Sequence, residues 1–314
     1  MPLGMAICAQ EGHQRSMTRG SLHGVIAAIA TAIDETGEPD CPRSIALARF
    51  LLDNGCDGLN VLGTTGKGTS FSLLQRTRVM RAYAESGLPL DHMLVGTGAA
   101  ALDDAVVLTS QAATLGFAGA LVLPPFYYKG VADDGLFAVI AAIVGATIAQ
   151  PIPIYLYHFP AQSGVPWHIS LIRRLIDSFG ERIAGLKDSS GDMDFASAAA
   201  SLWPRFQVFP STEAALPQAR SGPFAGCISA TANLNADLCA RFYRSGDAAS
   251  LREAITIRTL FDGKRLVPGV KALLAHIRNE SQWARVAPAL TPFPPTDWAA
   301  VVACYKTVRA QHLA

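Results

Sequence analysis

Charge is scarce and almost evenly balanced in this chain: 26 Lys and Arg against 25 Asp and Glu, only 16% of the residues, for a net charge of +1. There is no field of one sign to draw it to nucleic acid or an anionic membrane, so a small neutral or mildly anionic ligand fits better. Cysteine is sparse as well. Cys8, Cys41, Cys56, Cys227, Cys239 and Cys304 show neither CxxC nor metal-ligand spacing. A chain of this size needs no disulfide framework, and the six read as reduced thiols of a cytoplasmic protein. The histidines, His158 and His168 among them, also lack metal spacing and read as structural or solvated, so no metal site is expected. Three sequence signatures are missing. The first apolar run, GVIAAIATAI (24–33), leads into Asp34, Glu35 and Thr36 rather than a Gly-rich dinucleotide loop. GTTGKG has Gly68 where a P-loop has Ser or Thr after its lysine, and no serine nucleophile elbow occurs. Short-period repeats, low-complexity tracts and flexible linkers are absent too.

Two stretches imitate targeting or membrane segments. Arg15 and Arg19 precede the apolar run at 24–33 in the manner of a signal peptide, but the run begins late and cleavage there would delete what reads as a first strand. Residues 136–157 approach the length of a bilayer span, but Gln150, Pro151 and Pro153 divide them into a helix followed by a strand. No membrane association is expected.

Half the residues are hydrophobic, ample for a large core. Short β-rich apolar runs at 24–32, 58–62, 92–96, 119–123, 152–157, 183–187, 206–209 and 225–229 alternate with amphipathic stretches near 42–53, 71–86, 102–115, 133–148, 167–179, 192–202, 212–221 and 235–245. Near-continuous apolar strands covered by helices indicate a parallel sheet buried on both faces, and eight such units are the number that closes an α/β (β/α)8 TIM barrel. An open doubly wound sheet is the rival, less well matched for want of the dinucleotide loop. The barrel is placed at 21–246. Residues 247–314 form a C-terminal helical subdomain packed on it, with helices near 247–262, 265–278 and 297–312 interrupted by APALTPFPPTD. Residues 1–20 read as an extension, with Met17 an alternative beginning.

Barrel enzymes keep their working residues at the C-terminal ends of the strands. Three ends here are chemically loaded: GLNVLGTTGKG (58–68), PIPIYLYHFP (151–160) and IAGLKDSSGD (183–192). Lys187 closes an apolar strand, a sheltered setting that favours the neutral amine able to attack a ketone. A rim lysine that snorkels outward or pairs with Asp188 has the same spacing. Tyr157 ends the adjacent strand, where its phenol would move protons beside that amine or pack its ring in the barrel with the hydroxyl in water. Tyr155 should point the same way but deeper, as core. GTTGKG supplies Thr64 and Thr65 with flexible glycines, either to aim hydroxyls and amides at a carboxylate or to make a plain turn. PPFYYKG (124–130) places Phe126, Tyr127 and Tyr128 after the fourth strand, above the same mouth.

Taken in order over roughly 24–312, GTTG after strand two, the tyrosines after strand four, YLYHFP ending strand five and GLKDSSGD ending strand six resemble the dihydrodipicolinate synthase and N-acetylneuraminate lyase family. GCISATANL (226–234), which contains Ile228, resembles the family's strand-eight segment. The resemblance implies a class I aldolase-type lyase with no cofactor beyond a covalent lysine imine. Lys187 would attack the ketone of pyruvate or a related 2-oxo acid, Tyr157 would relay protons, and Thr64 would link it to Tyr127 or Tyr128. Thr65 with nearby amides around Gly63 would hold the carboxylate, and Ile228 is counted with the substrate-binding residues. The partners implied are small molecules, and the protein itself is expected to be a homo-oligomer, dimer or tetramer, because in the synthase branch the loop tyrosine comes from a neighbouring subunit.

Departures from the family pattern bear on the second substrate. Lys67 stands where Glu is usual, a charge reversal near the mouth. Gln162, five residues after Tyr157, replaces the arginine with which the synthases grip their aldehyde's carboxylate. That loss costs roughly a few kcal/mol of recognition and disfavours the lysine-pathway reaction. Ser211 replaces a glycine, and Glu213 falls where sialic acid lyases bind sugar hydroxyls, although the next acid of that pair is Ala214 here. These differences point to a polyhydroxylated or other non-amino-acid aldehyde. A 2-keto-3-deoxy sugar acid dehydratase or aldolase using the same lysine is an alternative, and a non-catalytic 2-oxo-acid-binding paralogue is a third.

Overall fold

Apolar strands without polar alternation need cover on both faces, and the computed structural model, which describes residues 22–310, shows how they obtain it. Eight parallel strands, β1 (Gly24–Ala28), β2 (Gly58–Val61), β3 (Met93–Gly96), β4 (Gly119–Val122), β5 (Ile154–His158), β6 (Ile183–Asp188), β7 (Gln207–Pro210) and β8 (Gly226–Ser229), lie in the order β7-β6-β5-β4-β3-β2-β1-β8. β1 pairs with β8, and the Ala225 amide donates to the Val208 carbonyl at 3.0 Å, closing the sheet as the expected (β/α)8 barrel.

Alternate side chains along each strand divide the core in two. Ile26, Ala28, Leu94, Tyr155, Phe209 and Ile228 fill the barrel. Val25, Ala27, Leu156, Leu186 and Val208 face outward into the larger layer under the helices. Each large side chain buried there contributes roughly 1.5–3 kcal/mol. Tyr155 is interior, as expected. Its ring lies against Gly119 and Gly185 of the neighbouring strands, where an added Cβ would come within 2.7 Å and 2.8 Å of ring carbons.

The covering helices are α1 (Cys41–Asp53), α2 (Leu73–Glu85), α3 (Leu102–Leu115), α4 (Asp133–Ala146), the single turn α5 (Pro160–Ser163), α6 (Ile169–Phe179), α7 (Met193–Ala200), α8 (Leu216–Ser221) and α9 (Ala232–Ser245). α10 (Ala248–Thr259), α11 (Leu266–Arg278) and α12 (Pro295–Ala310) follow; α10 and α11 pack on α9, and α12 packs on α10. The 136–157 stretch is the end of α4, a proline-bounded loop and β5, and no helix among the described residues is long and apolar enough to cross a membrane. The five described cysteines are free thiols. Residues 1–20, with Met17 and the Arg15 and Arg19 of the signal-peptide outline, lie outside the described residues, and the apolar run of that outline holds β1.

Some boundaries move for identifiable reasons. The first strand ends at Ala28, short of 32, because the Asn233 amide accepts from Ala30 N–H at 3.0 Å and donates to Ala28 O at 2.8 Å. The helix expected at 212–221 is a 3-10 turn, Glu213–Ala215, followed by a six-residue helix, Leu216–Ser221, with Pro217 in its first turn. α9 starts at Ala232, three residues early, and is broken at Asn235 (φ −138°).

Lys271 on α11 is fully buried, and its Nζ donates to Thr31 O at 2.9 Å, just beyond β1. Burial, reinforced by the charge of Lys67, pushes its ammonium down to about 7. The unfolded chain, with an ordinary lysine, binds more protons above that value, so stability should rise with pH. Between pH 7 and 8.5 the expected gain is at most about 1.4 kcal/mol per pH unit, and Lys271→Met should flatten the slope. Urea denaturation at several pH values checks this. Towards the upper end of this window the unfolded thiols begin to ionise and act in the opposite sense, since burial raises the folded Cys56 thiol to about 12, so the slope is steepest just above pH 7.

Candidate active site

The register of β5 and β6 brings the loaded strand ends together: Tyr157 is the direct partner of Lys187, and His158 of Asp188. Lys187 is 3% exposed, with its Nζ 4.5 Å from the centroid of the Tyr157 ring. Asp188 does not pair with it; that carboxylate accepts from Ser190 N–H at 2.9 Å, and burial raises its pKa. The sequence alternative of a lysine paired with its neighbour is therefore set aside.

Tyr157 is held from several sides. The Trp167 indole donates to its carbonyl at 3.1 Å, and Phe159 packs beside its ring. The phenol hydroxyl lies 3.0 Å from the Thr64 hydroxyl, with Ser189 Oγ at the outer limit of hydrogen bonding, 3.5 Å. His158 is structural, accepting from Trp167 N–H on Nδ1 at 3.1 Å while stacked on Phe195. Burial lowers its pKa to about 4, so it is neutral at pH 7.

Thr64 and Thr65 are aimed by close packing rather than by a flexible loop. A Cβ on Gly68 would lie 2.0 Å from the Leu62 carbonyl oxygen, and one on Gly63 2.6 Å from Asn60 Oδ1. Glycine permits these approaches, and the loop turns back on β2. Thr64, Thr65, Tyr157, Gln162, Lys187 and Ser211 all line one cavity of about 630 Å3 at the C-terminal mouth of the barrel, with Ile228 also in its wall. That volume suits a small ligand. Gly63 does not line it.

Tyr127 and Tyr128 are not brought to Thr64 within this chain. They are 75% and 73% exposed and pack edge to face on each other. The charge reversal at Lys67 is also less open than expected: the side chain is 6% exposed and donates to Ala287 O at 2.7 Å.

Glu213 is a correction. Instead of reaching the cavity it is fully buried, accepting from the hydroxyls of Ser229 (2.7 Å) and Thr231 and from Asn235 Nδ2 (3.3 Å), with Arg258 3.8 Å away. The 3-10 turn that replaces the expected helix start carries the carboxylate behind β8. Glu213→Ala should cost about 3–5 kcal/mol of unfolding free energy, because it strands these donors, while leaving the KM for a substrate bound in the cavity unchanged. Urea denaturation beside steady-state kinetics separates this from a substrate contact.

A model of the dihydrodipicolinate synthetase family matches residues 21–272. The chain belongs to that family. A DapA-like lyase of Chloroflexus aurantiacus is 32% identical over 293 residues, 91% of this chain and 97% of that protein. A 4-hydroxy-tetrahydrodipicolinate synthase of Parasynechococcus marenigrum is 34% identical over 174 residues, 55% of this chain and 56% of that one. The crystal structure of dihydrodipicolinate synthase from Agrobacterium tumefaciens, 26% identical, superposes with a TM-score of 0.85 over 91% of this chain and 99% of that one. The protein is accordingly a lyase of the dihydrodipicolinate synthetase family.

Sequence reasoning missed part of the lyase's cavity. Ser189 hydrogen-bonds Ser211 at 2.5 Å on one wall, and Arg258, Lys264 and Arg265 contribute another from beyond the barrel. Ser189 belongs to the GLKDSSGD motif, but the three cations follow no motif.

Proposed function

We propose that this lyase joins pyruvate, or a related 2-oxo acid, to an aldehyde by a reversible aldol reaction through an imine on Lys187. The supporting observation is the sheltered Lys187 amine packed on Tyr157, whose phenol is hydrogen-bonded to Thr64. The neutral amine attacks the ketone carbon, and the carbinolamine loses its oxygen as water with a proton relayed through Tyr157. The protonated imine then draws electrons from the adjacent methyl, which loses a proton to give an enamine. The enamine carbon bonds to the aldehyde carbon, the aldehyde oxygen takes up a proton, and water returns to release the lysine. Thr65 and amides near it hold the carboxylate. The exposed pair Tyr127 and Tyr128 suits a contribution to a neighbouring subunit's site in a dimer or tetramer.

Incubation with pyruvate and borohydride tests this. One protein molecule should gain pyruvic acid less one oxygen atom, on the peptide containing Lys187. The absence of any adduct would leave the non-catalytic reading in its place. Gln162 argues against aspartate semialdehyde as the second substrate, and efficient condensation of that aldehyde would refute this part. A second reading, dehydration or cleavage of a 2-keto-3-deoxy sugar acid by the same lysine, draws support from the neutral polar wall of Gln162, Ser189 and Ser211.

A further inference from the structure

The cavity has an unbalanced charge. Besides Lys187, the amine taken above as the nucleophile, Lys67, Arg258, Lys264 and Arg265 line it, and no Asp or Glu does, in a chain whose net charge is only +1. Of these four, only Arg258 has a carboxylate within ion-pair distance, Glu213 at 3.8 Å. The others are held by uncharged groups. Lys67 donates to the Ala287 carbonyl, Lys264 to the Leu260 carbonyl at 3.1 Å, and Arg265 to the Thr291 hydroxyl. Such partners orient a cation without neutralising it, so cations gathered around one cavity repel each other until an anion enters.

The placement of these groups separates two tasks. Thr65 and Lys187 lie at the strand ends, where the pyruvate carboxylate is expected. Lys264 and Arg265 are exposed, in the turn between α10 and α11. Segment 287–291 ties this outer wall together: Ala287 holds Lys67, Leu290 lines the cavity and Thr291 holds Arg265. That segment lies past residue 272, where the family match ends.

We infer that the outer wall is an anion subsite: Lys264 and Arg265, with Lys67 behind them, bind an acidic group at the end of the second substrate remote from its reacting carbon. The charge absent at Gln162 on α5 is thereby supplied by the α10–α11 turn and selects a different substrate tail. The assignment of this group to the second substrate rests on the Lys187 reading; the binding of the anion does not.

Phosphomonoester and carboxylate tails share this chemistry, and matched unreactive probes distinguish them. Glycerol 3-phosphate, 3,4-dihydroxybutyrate and glycerol would be titrated calorimetrically into the full chain and into Lys264→Ala/Arg265→Ala. At least one anionic probe should bind the parent and weaken about 10-fold or more in the double variant, with glycerol binding neither. The tighter anion identifies the tail. Lys264→Arg/Arg265→Lys should restore binding, and an unchanged thermal midpoint in the alanine variant shows that it folds. Failure of both anions to bind the parent, or equal binding by parent and double variant, would overturn the inference. If borohydride traps no pyruvate while anion binding still depends on Lys264 and Arg265, the Lys187 reading fails and the subsite stands.

Discussion

Lys187→Ala should form no reducible adduct with pyruvate, and its kcat/KM in the condensation should fall by on the order of 10^4 to 10^6. The expected loss is large because covalent catalysis has no partial form: without the amine there is no imine, and neither Tyr157 nor Thr65 can provide an equivalent electron sink. The fold should survive. The Lys187 side chain has the Tyr157 ring as its neighbour rather than a carboxylate, so its removal strands no buried counter-charge. Intact-mass measurement after borohydride reduction, alongside steady-state kinetics, checks both parts. An adduct that persisted in Lys187→Ala would move the chemistry to another amine, with Lys67 the candidate inside the same cavity.

Tyr157→Phe comes second in expected size, with kcat falling by roughly 10^2 to 10^4 and the KM for pyruvate little altered. This substitution removes only the hydroxyl. The ring can keep its contacts with Lys187 and Phe159, and the backbone carbonyl can keep the Trp167 indole, because none of these uses the phenol oxygen. What disappears is the 3.0 Å link to Thr64 and, with it, the proton path proposed for the imine carbon. The loss should therefore appear in the rate of imine formation, followed by quenching with borohydride at timed intervals. A rate within an order of magnitude of the parent would exclude the phenol as the proton carrier.

The sequence by itself determined the barrel, the strand ends that meet at the cavity and the pairing of Tyr157 with Lys187. These follow from short-range physics. Short apolar runs and 3.6-residue patterns define strands and helices, eight alternating units favour closure, and adjacent parallel strands fix which ends are neighbours. Pro151 and Pro153 separated α4 from β5, and the depth of Tyr155 followed from its parity with Tyr157.

Tertiary structure decided the rest. Glu213 looked like a site acid because its position along the chain suited one, but a 3-10 turn aims it behind β8 into a set of hydroxyl donors that no local pattern reveals. Lys67 lines the mouth as its position suggested, but that Ala287, 220 residues away, fixes its ammonium was not legible. Arg258, Lys264 and Arg265 belong to the cavity only because α10 and α11 pack on α9 and bring their connecting turn to the barrel mouth. Side-chain direction and contacts between distant segments depend on packing in three dimensions, and residue spacing along the chain does not encode them. The end of the candidate site proposed to take pyruvate was thus legible in the motifs, while the wall proposed to select the other substrate became visible only in the folded chain.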